Sequence, residues 1–449
     1  MNFNSPSEVP WPTCSLSRPA WADLLALSSR LIDEGTYEGP GSVNRVTTEI
    51  SEVADGIAMI EAFSHVVAFD SGDGLVLFDT SLETFAEPIL KSLRSWSTAH
   101  VRNIAYTHGH VDHVGGAQAF VEEAKANGAP PPALIGHENL PLRFDRYALT
   151  NGYNAIINQR QFGGGRVTLG SEDGGFGPST WVRPETTFRD RMRLSAGELE
   201  FVLQHSKGET DDHLWAWVPE RKAICTGDLV IWVFPNAGNP QKVQRYPLEW
   251  SRALREMAAL DAELLLPAHG LPISGTARIQ RVLDDMATAL EMLVDQTLRM
   301  MNDGARLDEI VHSVKLPAEL LEKPYLRPTY DEPEFIVHNI WRLYGGWYDG
   351  NPAHLKPAPD AALGSEVAAL AGGVPELVSR ARELAAADDL RLACQLVELA
   401  TQAEPGNRDA HAARAEIYTQ RRKAELSLMA RGIYGHAARE SQAIAETGE

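Results

Sequence analysis

The stretch Thr107-His108-Gly109-His110-Val111-Asp112-His113-Val114-Gly115-Gly116 places three histidines and one aspartate within six residues. It follows an apolar segment of strand length, Val101 to Tyr106, and precedes a segment typical of a helix, Ala117 to Ala126. Side chains at a strand-to-helix turn can converge on one point. Imidazoles and carboxylates are ligands that zinc-like divalent ions prefer. The stretch therefore predicts a metal site; the competing interpretation is a polar turn that happens to be rich in histidine.

Short apolar segments on both sides of this stretch predict an α/β fold. Each half of the region combines strands with a helix, which is typical of an αββα sandwich. We expect this sandwich over residues 46–275, after an N-terminal arm over residues 1–45. The predicted strands are Ile57–Ala62, His65–Asp70, Leu75–Asp79, Val101–Tyr106, Ala133–Gly136, Met192–Ser206, Leu214–Pro219, Ala223–Thr226 and Glu263–Pro267. One helix is expected to follow the third strand and to end at Trp96, with Asp79 to Ser81 as its cap. Another helix is expected over Leu248–Leu260.

Residues 136–190 interrupt this pattern. The segment is long, poorly periodic and rich in Gly, Arg and Asn. Long loops in compact domains are usually functional or disordered, and the aromatic residues and arginines argue against disorder. We interpret the segment as a wall of the active site; the alternative is a helical hairpin that covers the edge of the sheet.

From residue 276 to residue 449 the sequence predicts an all-α domain. A 3.6-residue apolar period runs from Ile279 to Met301, and a second helix, rich in aromatic residues, spans Asp331 to Gly345. Segments Pro375–Ala403 and Asn407–Ala424 are expected to form a helix pair of tetratricopeptide type. One such unit cannot bury its apolar face alone, so it is expected to pack on another surface.

Charge and cysteine content limit the partners and the compartment. The 449 residues carry a formal net charge of −20, which repels phosphate backbones, so we expect no nucleic-acid partner. Three scattered cysteines, Cys14, Cys225 and Cys394, argue against a disulfide framework and favour a reducing compartment. No apolar run has the length of a membrane span and no signal peptide is evident. We therefore expect a cytoplasmic protein without a membrane partner that acts on a small molecule.

The pattern H-x-H-x-D-H after an apolar strand resembles the signature of the metallo-β-lactamase superfamily. The resemblance implies two divalent metal ions, with zinc the expected metal and manganese or iron possible alternatives. It also implies further ligands at Glu209, Asp228 and His269, which follow later strands. One ion is assigned to His108, His110 and Glu209, the other to Asp112, His113 and His269, and Asp228 is shared. His205 or His213 could replace Glu209 or orient a ligand, and His269 could instead be a core histidine.

Glutamate at position 209, where most of these enzymes have histidine, resembles the alkylsulfatase branch. The string Tyr344-Gly-Gly-Trp-Tyr-Asp-Gly-Asn-Pro352 is similar to the dimerisation domain of that branch, and the resemblance covers roughly residues 50–440. It implies a homodimer in which the helical region of one subunit covers the pocket of the other. The sterol-carrier-like third domain of the family is expected to be missing. The family's T-H-T-L-H-N run is replaced at 228–236, where Trp232 and Phe234 predict an apolar pocket rim.

The function that the resemblance implies is hydrolysis of a sulfate ester by a metal-bridging hydroxide. Asp112 and Asp228 are the expected catalytic residues, because they would orient that hydroxide. Asn154 and Arg160 match the family's N-A-M-x-R-R segment and are candidates for binding an anionic head group; Arg160 could instead form a surface salt bridge. Two alternatives stay open: the same metal site could hydrolyse another ester, a lactone or an activated aryl ether, or the chain could be a non-catalytic helical interaction protein.

Overall fold

Two mixed β-sheets form the centre of the computed structural model, which describes residues 23–37, 39–162 and 176–447. The first sheet has its strands in sequence order, antiparallel from the first to the fourth and parallel from the fourth to the seventh. Its strands are β1 (Ile50–Ala54), β2 (Ile57–Ile60), β3 (Val66–Asp70), β4 (Leu75–Phe78), β5 (Val101–Ala105), β6 (Ala133–His137) and β7 (Thr186–Phe188).

The second sheet continues the chain in the order 13-12-11-10-9-8. Its eighth to eleventh strands pair antiparallel, the eleventh and twelfth pair parallel, and the last pair is antiparallel. Its strands are β8 (Arg191–Ala196), β9 (Leu199–His205), β10 (Leu214–Val218), β11 (Ala223–Gly227), β12 (Leu264–Pro267) and β13 (Ile273–Ser274). The metal-site residues follow β5, β9, β11 and β12, so the ends of these strands bring them together.

Helices cover the outer face of each sheet, which confirms the predicted αββα sandwich. The space between the sheets is filled by alternating apolar residues of both, such as Phe69, Phe78 and Phe201. The helices of this region are α1 (Leu24–Glu34), α2 (Pro40–Val43), α3 (Ala86–Trp96), α4 (Val111–Val114), α5 (Ala117–Ala126), α6 (Leu140–Leu149), α7 (Asn151–Phe162), α8 (Pro247–Ala258) and α9 (Thr276–Asn302). Helices α3 and α5 pack on the first sheet, and α1, α8 and α9 pack on the second.

The chain after α9 is helical, as predicted. Its helices are α10 (Leu307–Ser313), α11 (Ala318–Leu321), α12 (Pro333–Gly345), α13 (Pro352–Leu355), α14 (Asp360–Ala371), α15 (Val374–Ala386), α16 (Leu390–Ala403), α17 (Arg408–Ala424) and α18 (Leu428–Thr447). Helices α14 to α18 enclose a core of their own. Helix α1 belongs to the predicted arm, of which residues 1–22 lie outside the described chain; the predicted domain limits at 45/46 and 275/276 stay a prediction.

The described part of residues 136–190 is mostly helical and not an irregular loop; its predicted role as a wall of the active site stays a prediction. Helices α6 and α7 occupy it, followed by β7. The buried face of α7 carries Asn154, Asn158 and Gln161 with a single aliphatic residue, Ile157. A helix whose buried face is polar has no apolar period, which is why the pattern of the sequence missed it.

The predicted helix over 375–403 is broken. Helix α15 ends at Ala386, and Asp388 adopts a left-handed conformation with φ 64°. The side chain of Asp389 then accepts a hydrogen bond from the Leu392 N–H and caps α16. Asp388 forms the turn through its left-handed backbone, and Asp389 forms the N-cap because a short carboxylate side chain can bond to nearby backbone. The predicted pair is therefore part of a larger bundle of short helices.

Among the helices of the described chain, none by itself is both long and apolar enough to cross a membrane. The bent pair α14 and α15 satisfies the same criteria of length and composition only when both helices are taken together.

The last helix packs closely on α7 through Gly432. A Cβ atom at this position would lie 1.9 Å from the carbonyl oxygen of Gln161. Because backbone cannot move aside as a side chain can, we expect Gly432→Ala to destabilise the protein by about 1–3 kcal/mol. The measurement is the thermal melting temperature of the purified chain. Gly152→Ala on α7 is the control, since a Cβ there meets no atom within 4 Å. Equal melting temperatures for both variants would contradict the close approach.

Candidate metal centre

Seven side chains from four strand ends meet in two adjacent groups. His108, His110, Glu209 and Asp228 form one group, and Asp112, His113 and His269 form the other; in each group the candidate ligand atoms lie within 4.8 Å of one another. These are the seven residues of the sequence prediction, divided between two sites in the same way. Four or three ligands of mixed imidazole and carboxylate type are what a divalent transition-metal ion binds in proteins.

Asp228 lies between the two groups. Its Oδ2 atom is 3.8 Å from His108 Nε2, and its Oδ1 atom is 3.3 Å from His113 Nε2 and 3.5 Å from His269 Nε2. The two carboxylate oxygens thus face different groups. Asp228 directly follows β11. The last residue of that strand, Gly227, has φ 53° and turns the chain sharply there. This geometry suits a carboxylate that bridges two cations.

Asp79 holds the histidine stretch in place from the end of β4. One of its carboxylate oxygens accepts hydrogen bonds from the Thr107 hydroxyl at 2.8 Å and from His113 Nδ1 at 2.7 Å, and the other accepts one from the Thr107 N–H. With Nδ1 of His113 occupied, its Nε2 atom is left to face the cluster. The predicted cap over Asp79 to Ser81 is therefore wrong: the Asp79 side chain bonds to Thr107 and His113, and α3 has no side-chain cap.

Glu209 is fixed by Asn236 and Arg245. The Asn236 amide donates to Glu209 Oε1, Arg245 Nη2 lies 3.3 Å from the same oxygen, and Arg245 also donates to the Glu209 carbonyl. Burial raises the pKa of Glu209, and the Arg245 guanidinium opposes this shift. The second oxygen, Oε2, is buried without a hydrogen-bond partner. The two donors therefore orient Glu209 and leave one oxygen for a cation.

Buried atoms that lack a hydrogen-bond partner indicate whether metal ions fit the cluster. His113 Nε2, Asp228 Oδ1 and Glu209 Oε2 are buried and have no hydrogen-bond partner. A buried polar atom without a partner costs about 1–3 kcal/mol, so three in one cluster indicate a missing partner. Burial also lowers the pKa of His108 well below its usual range, and neighbouring His113 adds to this effect. Neutral imidazole is the form that binds metal. At His113 and His269 burial is outweighed by nearby carboxylates, Asp228 first, which raise the pKa, so a metal ion would displace a proton there. The unpaired atoms of both groups fit divalent ions.

The remaining histidines have supporting positions. His213 is buried, its ring stacks on His108, and its Nε2 atom accepts a hydrogen bond from the Asp228 N–H at 3.1 Å. It orients two ligands and belongs to neither group. His205 stacks on His137 and bonds to the Asp211 carbonyl. His269 Nε2 lies 3.3 Å from Asp112 Oδ2, which places it in the cluster and not in the apolar core.

The predicted apolar rim is wrong. Trp232 and Phe234 are fully buried in the core beneath the second sheet, and the Trp232 indole donates to the Leu271 carbonyl at 2.7 Å. Trp232 adopts φ 56°, a strained turn that directs its side chain inward. The run 229–234 therefore packs the domain and does not shape the pocket.

Asn154 and Arg160, the predicted head-group residues, both lie on α7. The Asn154 amide donates to the carbonyl and the hydroxyl of Thr150 one turn earlier. Arg160 is half-buried and forms no hydrogen bond or ion pair with the described residues. The structure places neither of them in the two ligand groups, so their contact with substrate remains a prediction.

Several residues at the site were not predicted. Asp79, Asn236 and Arg245 contact candidate ligands, and Lys242 donates a hydrogen bond to Asn158 on α7. No local motif marks them, because each reaches the centre from a separate segment. The one available signal was position: Asp79 ends a strand beside the histidine strand, and strand ends of a parallel sheet meet at one edge.

Comparisons with known proteins agree with this geometry. Residues 60–269 match the family model of the metallo-beta-lactamase superfamily, and residues 306–443 match the model described as alkyl sulfatase dimerisation. The solved structure of the stereoselective inverting sec-alkylsulfatase Pisa1 from Pseudomonas sp. superposes with a TM-score of 0.77 at 24% identity, covering 88% of this chain and 66% of that one. At this identity the structural match supports the fold.

Curated relatives extend the match over most of the chain. A linear primary-alkylsulfatase of Pseudomonas sp. is 28% identical over 390 residues, covering 84% of this chain and 72% of the relative. An (R)-specific secondary-alkylsulfatase of Pseudomonas sp. is 26% identical, covering 80% and 57%. The alkyl/aryl-sulfatase BDS1 of Saccharomyces cerevisiae is 23% identical, covering 82% and 60%. The chain thus spans between 57% and 72% of the length of these relatives. The chain therefore combines a metallo-beta-lactamase domain with an alkylsulfatase dimerisation domain, and it is homologous to the alkylsulfatases.

Proposed function

We propose that this chain is a metal-dependent hydrolase of sulfate esters. The observation that carries the proposal is the convergence of seven ligand side chains into two groups with Asp228 between them. A scaffold protein has no use for such a cluster, which speaks against the non-catalytic alternative. The homology to alkylsulfatases supports sulfate monoesters as the substrate class. The burial of Trp232 and Phe234 removes the apolar rim that favoured other small esters.

The seven residues would hold two divalent ions, with zinc the proposed metal. When bound, such a pair lowers the pKa of water to about 7 and stabilises negative charge on a substrate oxygen. The protein side chains contribute by holding the ligands and the attacking water in position. Asp112 and Asp228 would accept hydrogen bonds from the attacking water and orient it, while Asp79 and His213 hold the ligands in position. Asn154 and Arg160 on α7 are proposed to lie along the anionic head group.

Sulfate release tests this function. The purified protein, loaded with zinc or with manganese, is incubated with a medium-chain alkyl sulfate, and free sulfate is measured by ion chromatography. We expect sulfate release that stops when the metal is removed by a chelator and returns when zinc is added back. Aryl esters, lactones and nitroaryl ethers complete the panel. Turnover of one of these in the absence of any sulfate release would contradict the proposed substrate class.

A homodimer is part of the proposal. Helix α14 is mostly apolar, yet Leu363 and Leu370 expose 52% and 88% of their surface. The helix lies in the region that matches alkyl sulfatase dimerisation, so a second copy is the proposed cover. We expect light scattering at micromolar concentration to give the mass of two chains, and Leu370→Glu to shift it toward one. A wild-type monomer under these conditions would refute the dimer.

The proposed location is the cytoplasm. It rests on the sparse cysteines, of which Cys225 and Cys394 are free thiols in the described chain.

A further inference from the structure

Asp212, in the segment between β9 and β10, bonds to the backbone of the histidine stretch. Its Oδ2 atom accepts a hydrogen bond from the Gly109 N–H at 2.9 Å. Gly109 separates His108 from His110, and these two candidate ligands belong to the same group. Because the Gly109 N–H is part of the peptide that joins His108 to Gly109, the bond restrains how both histidines are presented to a cation.

Arg143 on α6 holds the other oxygen of Asp212. Its Nε atom donates a hydrogen bond to Asp212 Oδ1 at 2.8 Å, and its Nη2 atom donates to the carboxylate of Asp211. Arg143 and Asp212 expose only 5% and 0% of their surface. A buried ion pair contributes little net stability, because both charges lose their water. What this pair does provide is a fixed direction for the Asp212 carboxylate, with one oxygen toward Gly109.

The packing around Gly109 shows how closely the ion pair approaches the histidine stretch. A Cβ atom at this position would lie 2.9 Å from Arg143 Cδ and 3.0 Å from Asp212 Oδ2. Two residues after Asp212, the Leu214 N–H donates a hydrogen bond to the Thr107 carbonyl at 2.7 Å. The stretch is therefore held at two points from the second sheet, in addition to the bonds that it receives from the end of β4.

We propose that Asp212 is a positioning residue for His108 and His110, and that Arg143 holds its carboxylate in place. The inference rests on the proposed function, because it takes both histidines to be metal ligands. Groups outside the ligand set that orient the ligands commonly change metal affinity by about 10–100-fold. Here the orienting group acts on the backbone between two ligands and not on a ring nitrogen. Loss of the acceptor at position 212 therefore weakens zinc binding at these two histidines.

The test removes the acceptor without leaving a buried charge. Two double variants share Arg143→Met: the asparagine variant adds Asp212→Asn, and the leucine variant adds Asp212→Leu. Both new side chains have nearly the shape of aspartate, but only the asparagine oxygen can accept a hydrogen bond from the Gly109 N–H. We expect calorimetric titration of the metal-free proteins to show one zinc site that is about 10–100-fold weaker in the leucine variant than in the asparagine variant. The other zinc site is expected to be unchanged in both.

Two further readouts separate positioning from a structural role. Each double variant leaves one buried donor group without a partner, the Gly109 N–H or the asparagine amide, so we expect similar melting temperatures. A structural role would instead make zinc affinity follow melting temperature. The visible absorption of the cobalt-loaded protein reports ligand geometry, and we expect it to change in the leucine variant only. Arg143→Met/Asp212→Ala removes the acceptor with a smaller side chain, so the comparison does not depend on how leucine packs.

The control is Arg183→Met/Asp145→Leu, which replaces an exposed ion pair whose carboxylate lies on the same helix as Arg143. We expect it to keep the zinc affinity and the cobalt spectrum of the wild type. Equal zinc affinity in the asparagine and leucine variants, or a loss in proportion to melting temperature, would overturn the inference. A wild-type protein that binds no zinc and releases no sulfate would instead overturn the proposed function, so the two failures are distinguishable.

Discussion

Replacing Asp228 by alanine is expected to abolish turnover while the fold survives. Its two oxygens face different ligand groups, at 3.8 Å from His108 and 3.3 Å from His113, so the substitution removes a ligand from both ions. His110→Ala removes a ligand from one. We expect kcat/KM for an alkyl sulfate to fall by about 10³-fold or more in each, since electrostatic stabilisation and water activation are lost together. Metal content by mass spectrometry is expected to fall as well.

Matched controls isolate this effect. Asp303→Ala and His312→Ala replace the same residue types at exposed positions, just after α9 and on α10, and we expect both to retain wild-type activity and metal content. Far-UV circular dichroism is expected to be the same for all four variants, because the sandwich core lies between the sheets and not at their ends. Full activity in Asp228→Ala or His110→Ala would show that the ligand assignment is wrong.

Replacing Arg245 by methionine is expected to impair metal binding from outside the ligand set. Arg245 is the cation that opposes the raised pKa of buried Glu209. Without it the carboxyl group has a stronger tendency to hold a proton, and a protonated carboxyl is a poor ligand. We expect zinc affinity at the His108, His110 and Glu209 group to fall by about 10–100-fold, measured by calorimetric titration of the metal-free protein.

The pH dependence distinguishes this mechanism from simple unfolding. Because protonation of Glu209 competes with the metal, the deficit of Arg245→Met should shrink as pH rises and the carboxyl ionises. Arg245→Lys keeps the charge without the paired donors, so its zinc affinity should lie between those of the wild type and Arg245→Met. Arg252→Met, at an exposed site on α8, is the control. Zinc affinity equal to wild type in Arg245→Met would rule out its role in positioning Glu209.

Helix α7 is buried on one face without an apolar period in its sequence. Its buried face consists of Asn154, Asn158 and Gln161, whose partners are other polar groups such as Lys242 and Asn239. A period of apolar residues reports burial only where the buried surface is itself apolar. At a site wall that contacts polar groups, this condition fails. The apolar run 229–234 shows the converse: residues near the site in sequence can belong to the core.

The sequence by itself determined the sandwich, the helical C-terminal region and the four candidate ligands of the histidine stretch, because strand periodicity and a compact histidine cluster are local properties of the chain. The other three candidates, Glu209, Asp228 and His269, came from the family resemblance. The tertiary structure decided which side chains orient those candidate ligands. Asp79, Asn236, Lys242 and Arg245 come from separate segments, and their roles depend on distances and burial that exist only after the strand ends meet. Electrostatic interactions act through space, so their partners need not be near in sequence.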